Sequence, residues 1–330
     1  MAQYSGVVRQ ETSTLSSDGM SWLRIVVWRP DPSYTKRAIV QLVHGMSEHI
    51  GRYDAFARFL ADLGYVVFGH DHIGHGKSVV SSEQLGHMPA HGGKDILVND
   101  IDVVRKAVYA LIGTSRDLPL FLFGHSMGSF VARVYAARHP ESLAGVILCG
   151  TGSQPRVLAK MGCSVARIIA ALRGEEYRSH LVDSLVVGSY AQSVDNPRTN
   201  YDWLSSDPSV VDAYYADPLS GSHFSVGAYA TLTDTVAEAV SKQVAQATPN
   251  DLPMLFVAGD EDPVGNKGVG VEKAANRYRK QGVSDVEVII YPGMRHEILN
   301  EPDRMQVYCD VEAWMAHRLV LRAIAKDSAV

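Results

Sequence analysis

The chain of 330 residues carries 31 Lys and Arg against 36 Asp and Glu, a formal charge of −5, with 46% hydrophobic and 20% charged residues. That is enough apolar material for a large packed core and excludes a disordered chain. Without a basic surplus or a clustered basic face, nucleic acid is not an expected partner.

In chain order, Trp22–Arg29 alternates and is rich in β-branched residues, and Arg37–His44 is a short apolar run between polar residues, so both read as strands. In DAFARFLADLG, residues 54–64, Phe56, Phe59, Leu60 and Leu63 recur at helical spacing and Gly64 closes the helix as a C-terminal cap. YVVFGH, residues 65–70, follows as a buried strand. Asp95–Ile112 sets Ile96, Val103, Val104, Val108 and Leu111 at helical spacing. Then PLFLFGH (119–125) reads as a strand, SMGSFVARVYAARHP (126–140) as a helix and SLAGVILCG (142–150) as a strand. Such alternation builds a parallel sheet with helices on both faces.

After Gly150 the rhythm stops for about a hundred residues. It resumes with PMLFVAGDEDP (253–263), a helix near Val271–Gln281, the strand DVEVIIYPG (285–293) and a final helix from Asp303 to Ala325. The intervening stretch holds helical segments at Val157–Leu172 and Phe224–Val244, around DWLSSDPSVVDAYYADPLSG, whose Asp-Pro pairs signal turns. The expected architecture is an α/β core domain of residues 1–150 and 249–330, a mostly parallel sheet flanked by helices. A mostly helical cap of residues 151–248 is inserted after the sixth strand.

The first thirty residues lack the cationic start and apolar core of a secretory signal, and no apolar run approaches the roughly 20 residues of a bilayer span, so a cytoplasmic location is expected. Cys149, Cys163 and Cys309 match no disulfide or zinc spacing and read as reduced packing residues.

Gly124-His125-Ser126-Met127-Gly128 is a G-x-S-x-G pattern at the junction of an expected strand and an expected helix. A serine on such a sharp turn is crowded by its own backbone, and the glycines two residues to either side relieve the clash. The helix that starts there directs free N–H groups at negative charge developing on an attacked carbonyl oxygen. A serine nucleophile needs a base, and the base an orienting acid. His296, past the last expected strand, and Asp262, past the strand before it, supply them in the chain order Ser, Asp, His found in α/β-hydrolases. Asp260 and Glu261 compete with Asp262 for the acid's place. The second oxyanion donor is expected in the turn His44-Gly45-Met46-Ser47-Glu48-His49, as the N–H of Met46 beside that of Met127. His70, His72 and His75 with Asp71 mimic a metal cluster, but a strand end and a Gly-rich turn account for them, so no metal and no organic cofactor is expected.

HGMSEHIGRYDAFARFL, GHDHIGHGKS, GHSMGS, GDEDP and GMRHEILNE together resemble the monoacylglycerol lipase and lysophospholipase branch of the α/β-hydrolases, over nearly the whole chain. The resemblance implies Ser126 as nucleophile, Asp262 and His296 as the rest of a triad, and Met46 and Met127 as oxyanion donors. It also implies hydrolysis of an ester with a hydrophobic acyl chain, monoacylglycerol or lysophospholipid-like. Alternatives are a carboxylesterase for short or aromatic esters, an acyltransferase, and a ligand receptor on a hydrolase fold. Dehalogenase and epoxide hydrolase relatives carry an aspartate at the elbow, unlike Ser126.

Between Arg156 and Leu172, Val157, Leu158, Met161, Val165, Ile168, Ile169 and Leu172 share one helical face, with Arg156, Lys160 and Arg167 opposite. Such a helix either rests transiently on a membrane or lipid aggregate, or covers the active site with its apolar side inward and its basic side in water, the second being the favoured expectation. Tyr190, Trp203, Tyr214, Tyr215 and Phe224 read by default as the cap's small core.

Overall fold

The structure, a computed structural model, describes residues 6–31, 33–113, 118–139, 141 and 143–327. Pro140 and Ser142, at the outer ends of an expected helix and strand, lie outside the described residues. Among these residues one sheet holds eight strands: β1 (Val8–Leu15), β2 (Trp22–Arg29), β3 (Ala38–Val43), β4 (Tyr65–His70), β5 (Leu120–His125), β6 (Gly145–Cys149), β7 (Met254–Gly259) and β8 (Val286–Tyr291). Their order is β1-β2-β4-β3-β5-β6-β7-β8. β1 and β2 run antiparallel to their neighbours and every other pair is parallel. β3 through β7 are buried at every position, as unbroken apolar runs must be when helices cover both faces.

Helices α1 (Asp54–Asp62), α2 (Gly93–Ile112) and α3 (Met127–Arg138) alternate with the strands. α4 (Arg156–Arg173), α5 (His180–Ala191), α6 (Pro208–Ala216), α7 (Val226–Ala239) and α8 (Lys242–Ala247) lie between β6 and β7, and α9 (Val269–Arg279) and α10 (Arg304–Asp327) complete the chain. Phe56 and Leu60 of α1 and Val311 and Trp314 of α10 pack in the core on one face of the sheet. Residues of α2, α3 and α9 fill the other, and α7 joins them through Val226, Tyr229 and Val236. Pairing of Val43 with Gly124, His125 with Cys149 and Gly259 with Tyr291 brings the carboxyl ends of the parallel strands level, which is where ligands bind in α/β sheets.

Four expectations need correction. The sequence reading picks out no strand before Trp22, yet Val8–Leu15 pairs with β2 along its whole length. The single helix expected over Phe224–Val244 is two, because Ser241 adopts extended backbone and accepts the Val244 N–H to cap a new one. The largest correction concerns α4. Its buried residues are the small ones, Ala159, Cys163, Ala166 and Ala170, which pack on α7, while Leu158, Met161, Ile168 and Leu172 are exposed at 62%, 58%, 60% and 77%. The apolar stripe therefore faces outward, because small side chains let two helix backbones approach closely and bulky ones do not. Cys149 and Cys163 are buried as expected, but Cys309 is exposed, against the expectation of a packing role. Among the described residues no helix is long and apolar enough to cross a membrane.

Candidate active site

β5 ends at His125 and α3 begins at Met127, so the chain turns within one residue. Ser126 makes that turn at φ +52° and ψ −121°, a conformation rarely adopted by a residue with a side chain, and its N–H is anchored to the Cys149 carbonyl at 3.0 Å. The flanking glycines are sterically required. A Cβ at Gly128 would lie 2.1 Å from the Val43 carbonyl oxygen, and one at Gly124 would lie 2.4 Å from that of Gly128. Ser126 stands half-buried on the wall of a cavity of about 740 Å³.

His296 and Asp262, in the loops after β8 and β7, meet with Nδ1 2.9 Å from Oδ1, both side chains buried. The same Asp262 oxygen accepts the Val264 N–H at 2.9 Å, so its own loop orients the carboxylate. The competing acids turn elsewhere: Asp260 accepts the Gly293 N–H at 2.7 Å, and Glu261 pairs with Arg295 at 3.3 Å. His296 Nε2 is buried and has no hydrogen-bond partner among the described residues, and the ring lines the cavity together with Ser126. Gly150, at φ +58°, makes room for that ring, since a Cβ there would sit 2.9 Å from His296 Cε1.

Met127 is the first residue of α3, so its N–H has no acceptor within the helix. Met46 sits in the turn after β3, where a Cβ on Gly45 would approach Ser126 Cβ to 3.0 Å. The N–H of Gly45 itself is taken by the Glu48 carboxylate at 2.5 Å. Met46 and Met127 both line the cavity with Ser126.

The imidazole of His296 lies between two further rings, His125 at 4.8 Å and Trp203 at 5.0 Å between centroids. Trp203 belongs to the DWLSS stretch, which is a strap across the His296 loop. The His296 and Glu297 N–H groups donate to the Trp203 and Leu204 carbonyls at 3.4 and 2.7 Å, and Arg295 Nη1 donates to the Asp202 carbonyl at 2.6 Å. Glu301 closes the strap by accepting from the Ser206 and Arg295 N–H groups at 2.9 and 2.8 Å. Nothing in the turn-rich sequence signals this role. Of the five cap aromatics, Trp203 and Tyr214, with Tyr190 packed against them, form the expected small buried cluster and also line the cavity, and Phe224 belongs to the main core, whereas Tyr215 is exposed at 72%, against the expectation of core.

His125 and Glu48 are also missed by sequence reasoning. Burial works against the Glu48 charge, yet its hydrogen bond to His125, with the Arg52 charge, holds its carboxyl down at about 2. Burial likewise pulls the His125 imidazole down, but the bond to Glu48 outweighs it and raises its pKa. His44, His70, His72 and His75, by contrast, form a buried cluster at the turn after β3, with His44–His72 and His70–His72 centroids 4.2 and 4.8 Å apart. Asp71 beside them accepts the Ile50 and Lys77 N–H groups, each at 2.8 Å. Among the described residues no three or more His, Cys, Asp or Glu side chains are arranged to hold a metal ion.

The cavity is chiefly apolar beyond these groups, walled by Phe130, Leu158, Val186, Leu232, Val236 and Val264. It can bury a hydrocarbon chain while presenting a carbonyl carbon to Ser126.

A sequence profile described as serine aminopeptidase, S33, matches residues 34–303. The monoacylglycerol lipase of Mycolicibacterium smegmatis is 30% identical over 322 residues, 95% of this chain and 100% of its own. The monoglyceride lipase of Mus musculus is 29% identical over 314 residues, 92% of this chain and 90% of its own. Among solved structures, a highly thermostable carboxyl esterase from Bacillus coagulans in complex with glycerol matches with a TM-score of 0.86 at 32% identity, covering 94% of this chain and 99% of that one.

Proposed function

The chain belongs to the serine aminopeptidase S33 family, in its monoacylglycerol lipase-like branch, and is a carboxylic ester hydrolase; we propose that it cleaves monoacylglycerol or lysophospholipid-like esters through an acyl-enzyme on Ser126. One observation carries the mechanism: a buried His296–Asp262 pair leaves Nε2 without a partner among the described residues, in the same cavity wall as a serine at positive φ. In the first half-reaction His296 Nε2 takes the Ser126 hydroxyl proton as the oxygen attacks the ester carbonyl. The N–H groups of Met46 and Met127 stabilise the oxyanion, while Asp262 fixes the tautomer of His296 and supports its charged form. The imidazolium then gives its proton to the departing glycerol-like alcohol. Water repeats the sequence on the acyl-enzyme and restores Ser126.

Residues 151–248 act in this proposal as a cap that shapes the acyl site, since Leu158, Val186, Leu232 and Val236 of that segment line the cavity. The outward face of α4, with Leu181 and Leu185 of α5 exposed at 70% and 69%, makes transient contact with a membrane or lipid aggregate. Arg156 and Lys160, exposed beside it, favour anionic headgroups. A cytoplasmic location is our further proposal, supported by three cysteines of which none is in a disulfide.

The test is hydrolysis of p-nitrophenyl esters and monoacylglycerols of increasing chain length by the wild type and by Ser126→Ala. The substitution is expected to abolish nearly all turnover and leave the fold intact, with the wild type showing an optimum at medium or long chains. Substantial residual turnover in the purified variant overturns the nucleophile. A Ser126-dependent optimum at acetate or butyrate replaces the substrate class by that of a short-chain carboxylesterase, a second proposal supported by the likeness to the Bacillus coagulans carboxyl esterase.

A further inference from the structure

Behind Ser126 and His296 lies a buried charged pair that the acyl-transfer steps do not use. Glu48 Oε1 receives the Gly45 N–H at 2.5 Å and the Tyr53 hydroxyl at 2.8 Å, and lies 3.1 Å from His125 Nδ1. The other carboxylate oxygen is 3.6 Å from Arg52 Nε, and Arg52 Nη2 donates to Glu297, the residue after His296. His125, the residue before Ser126, places its second nitrogen 3.3 Å from the carbonyl oxygen of His296. Both ring nitrogens therefore face pure acceptors, one a carboxylate and the other a backbone carbonyl. A neutral imidazole owns a single N–H and would turn a lone pair toward one of them; only the imidazolium satisfies both.

We propose that Glu48 and His125 are positioning residues for ester cleavage, a buried carboxylate–imidazolium pair that ties the oxyanion turn, the serine elbow and the His296 loop into one frame. Each end of the pair reaches a different part of the site. Glu48 fixes Gly45, whose backbone passes beside Ser126, while His125 precedes that serine and holds the main chain of His296. The proposal rests on the assignment of Ser126 and His296 to the reaction. Charged and titratable groups around the pair come from three further places: Arg52 and Tyr53 from the segment after the turn, His296 and Glu297 from the loop after β8, and Cys149 from the end of β6. Glu48 and Glu297 outnumber Arg52 there and favour the imidazolium.

The sign of the pH dependence follows. The bridge exists while His125 holds both protons and is lost as the pH rises through its raised pKa. Glu48→Gln keeps a side-chain oxygen for Gly45 and Tyr53, removes the charge and turns an amide N–H2 toward Arg52. The variant is expected to lose about tenfold to a hundredfold in kcat with KM changed by less than about threefold. Its alkaline limb should shift to lower pH, because His125 loses its counter-charge. Independently, wild-type protein labelled with 15N-histidine should show two N–H protons on His125 at pH 7, assigned by their absence in His125→Gln. A single N–H on His125 overturns the proposal, and so does a folded Glu48→Gln with wild-type kcat and alkaline limb. If Glu48→Gln does not fold, the labelled wild type still decides. Failure of the Ser126 assignment appears elsewhere, as turnover in Ser126→Ala, and leaves the proton count on His125 unchanged.

Discussion

A carboxylate that orients an imidazole does so through one oxygen atom, and at Asp262 that atom is Oδ1, shared between His296 Nδ1 and the Val264 N–H. Asp262→Asn can keep an oxygen in that place, so the fold should survive, but the amide no longer supports a positive imidazole. The expected loss in kcat is about 10⁴, measured on p-nitrophenyl butyrate, with a melting temperature close to that of the wild type. A loss below tenfold would mean that Asp262 only shapes its loop. At this scale the sequence is most legible where chemistry demands a rare combination. The glycines around Ser126 are such a case, and both prove to have no room for a Cβ. It is least legible where neighbours compete: Asp260, Glu261 and Asp262 are equivalent as letters, and only the folded loop shows that Asp260 turns to the Gly293 N–H. His125 and Glu48 are silent for the same reason, since their 77-residue separation carries no sign of contact.

For elements, periodicity locates a helix better than it orients one. α4 carries two usable stripes, one of bulky apolar residues and one of Ala and Cys, and the rule that large apolar residues point inward selects the wrong one. What wins is close approach to α7, which only the small stripe permits. Replacing Met161, Val165 and Ile168 together by Gln should therefore cost little stability, within about 0.5 kcal/mol per site, because all three are exposed and none lines the cavity. The same change should reduce cosedimentation with anionic phospholipid vesicles. Strong destabilisation in denaturant would show that the stripe is packed, and unchanged vesicle binding would remove α4 from any lipid contact. β1 escapes the sequence reading for a different reason: VRQETSTL is a half-exposed edge strand with hardly an apolar residue to betray it. α6 hides inside the Asp-Pro stretch because Asp207 caps it and Pro208 opens its first turn, so the residues read as breakers are a start signal.

Across the whole molecule, alternation of strand and helix is a global pattern and survives local ambiguity, which is why the parallel sheet and the break in alternation between β6 and β7 are readable. Stability at low pH is a second global property. Burial depresses the pKa of His44, His70, His72 and His75, that of His70 from 6.5 to about 3. Below pH 6.5 the unfolded chain takes up protons that these four positions refuse in the fold, so stability falls as pH falls through that window. His125, with its raised pKa, acts in the opposite direction, one group against four. The melting temperature should thus drop between pH 7 and pH 5, each buried histidine costing on the order of 1 to 2 kcal/mol at the lower pH. His70→Gln should flatten part of that slope in a calorimetric pH series; a flat wild-type profile would show that these imidazoles are solvated.

The strap from Asp202 to Ser206 carries one more consequence. The inserted segment does more than roof the cavity, because Trp203 flanks the His296 ring and the backbone of Trp203 and Leu204 grips the loop that bears it. If His296 transfers the proton as proposed, substrate range and proton transfer are not separable modules. Under the proposed mechanism, a chain whose segment between β6 and β7 is exchanged to accept a different ester needs an equivalent of the Asp-Trp-Leu-Ser-Ser stretch to keep the His296 loop in place.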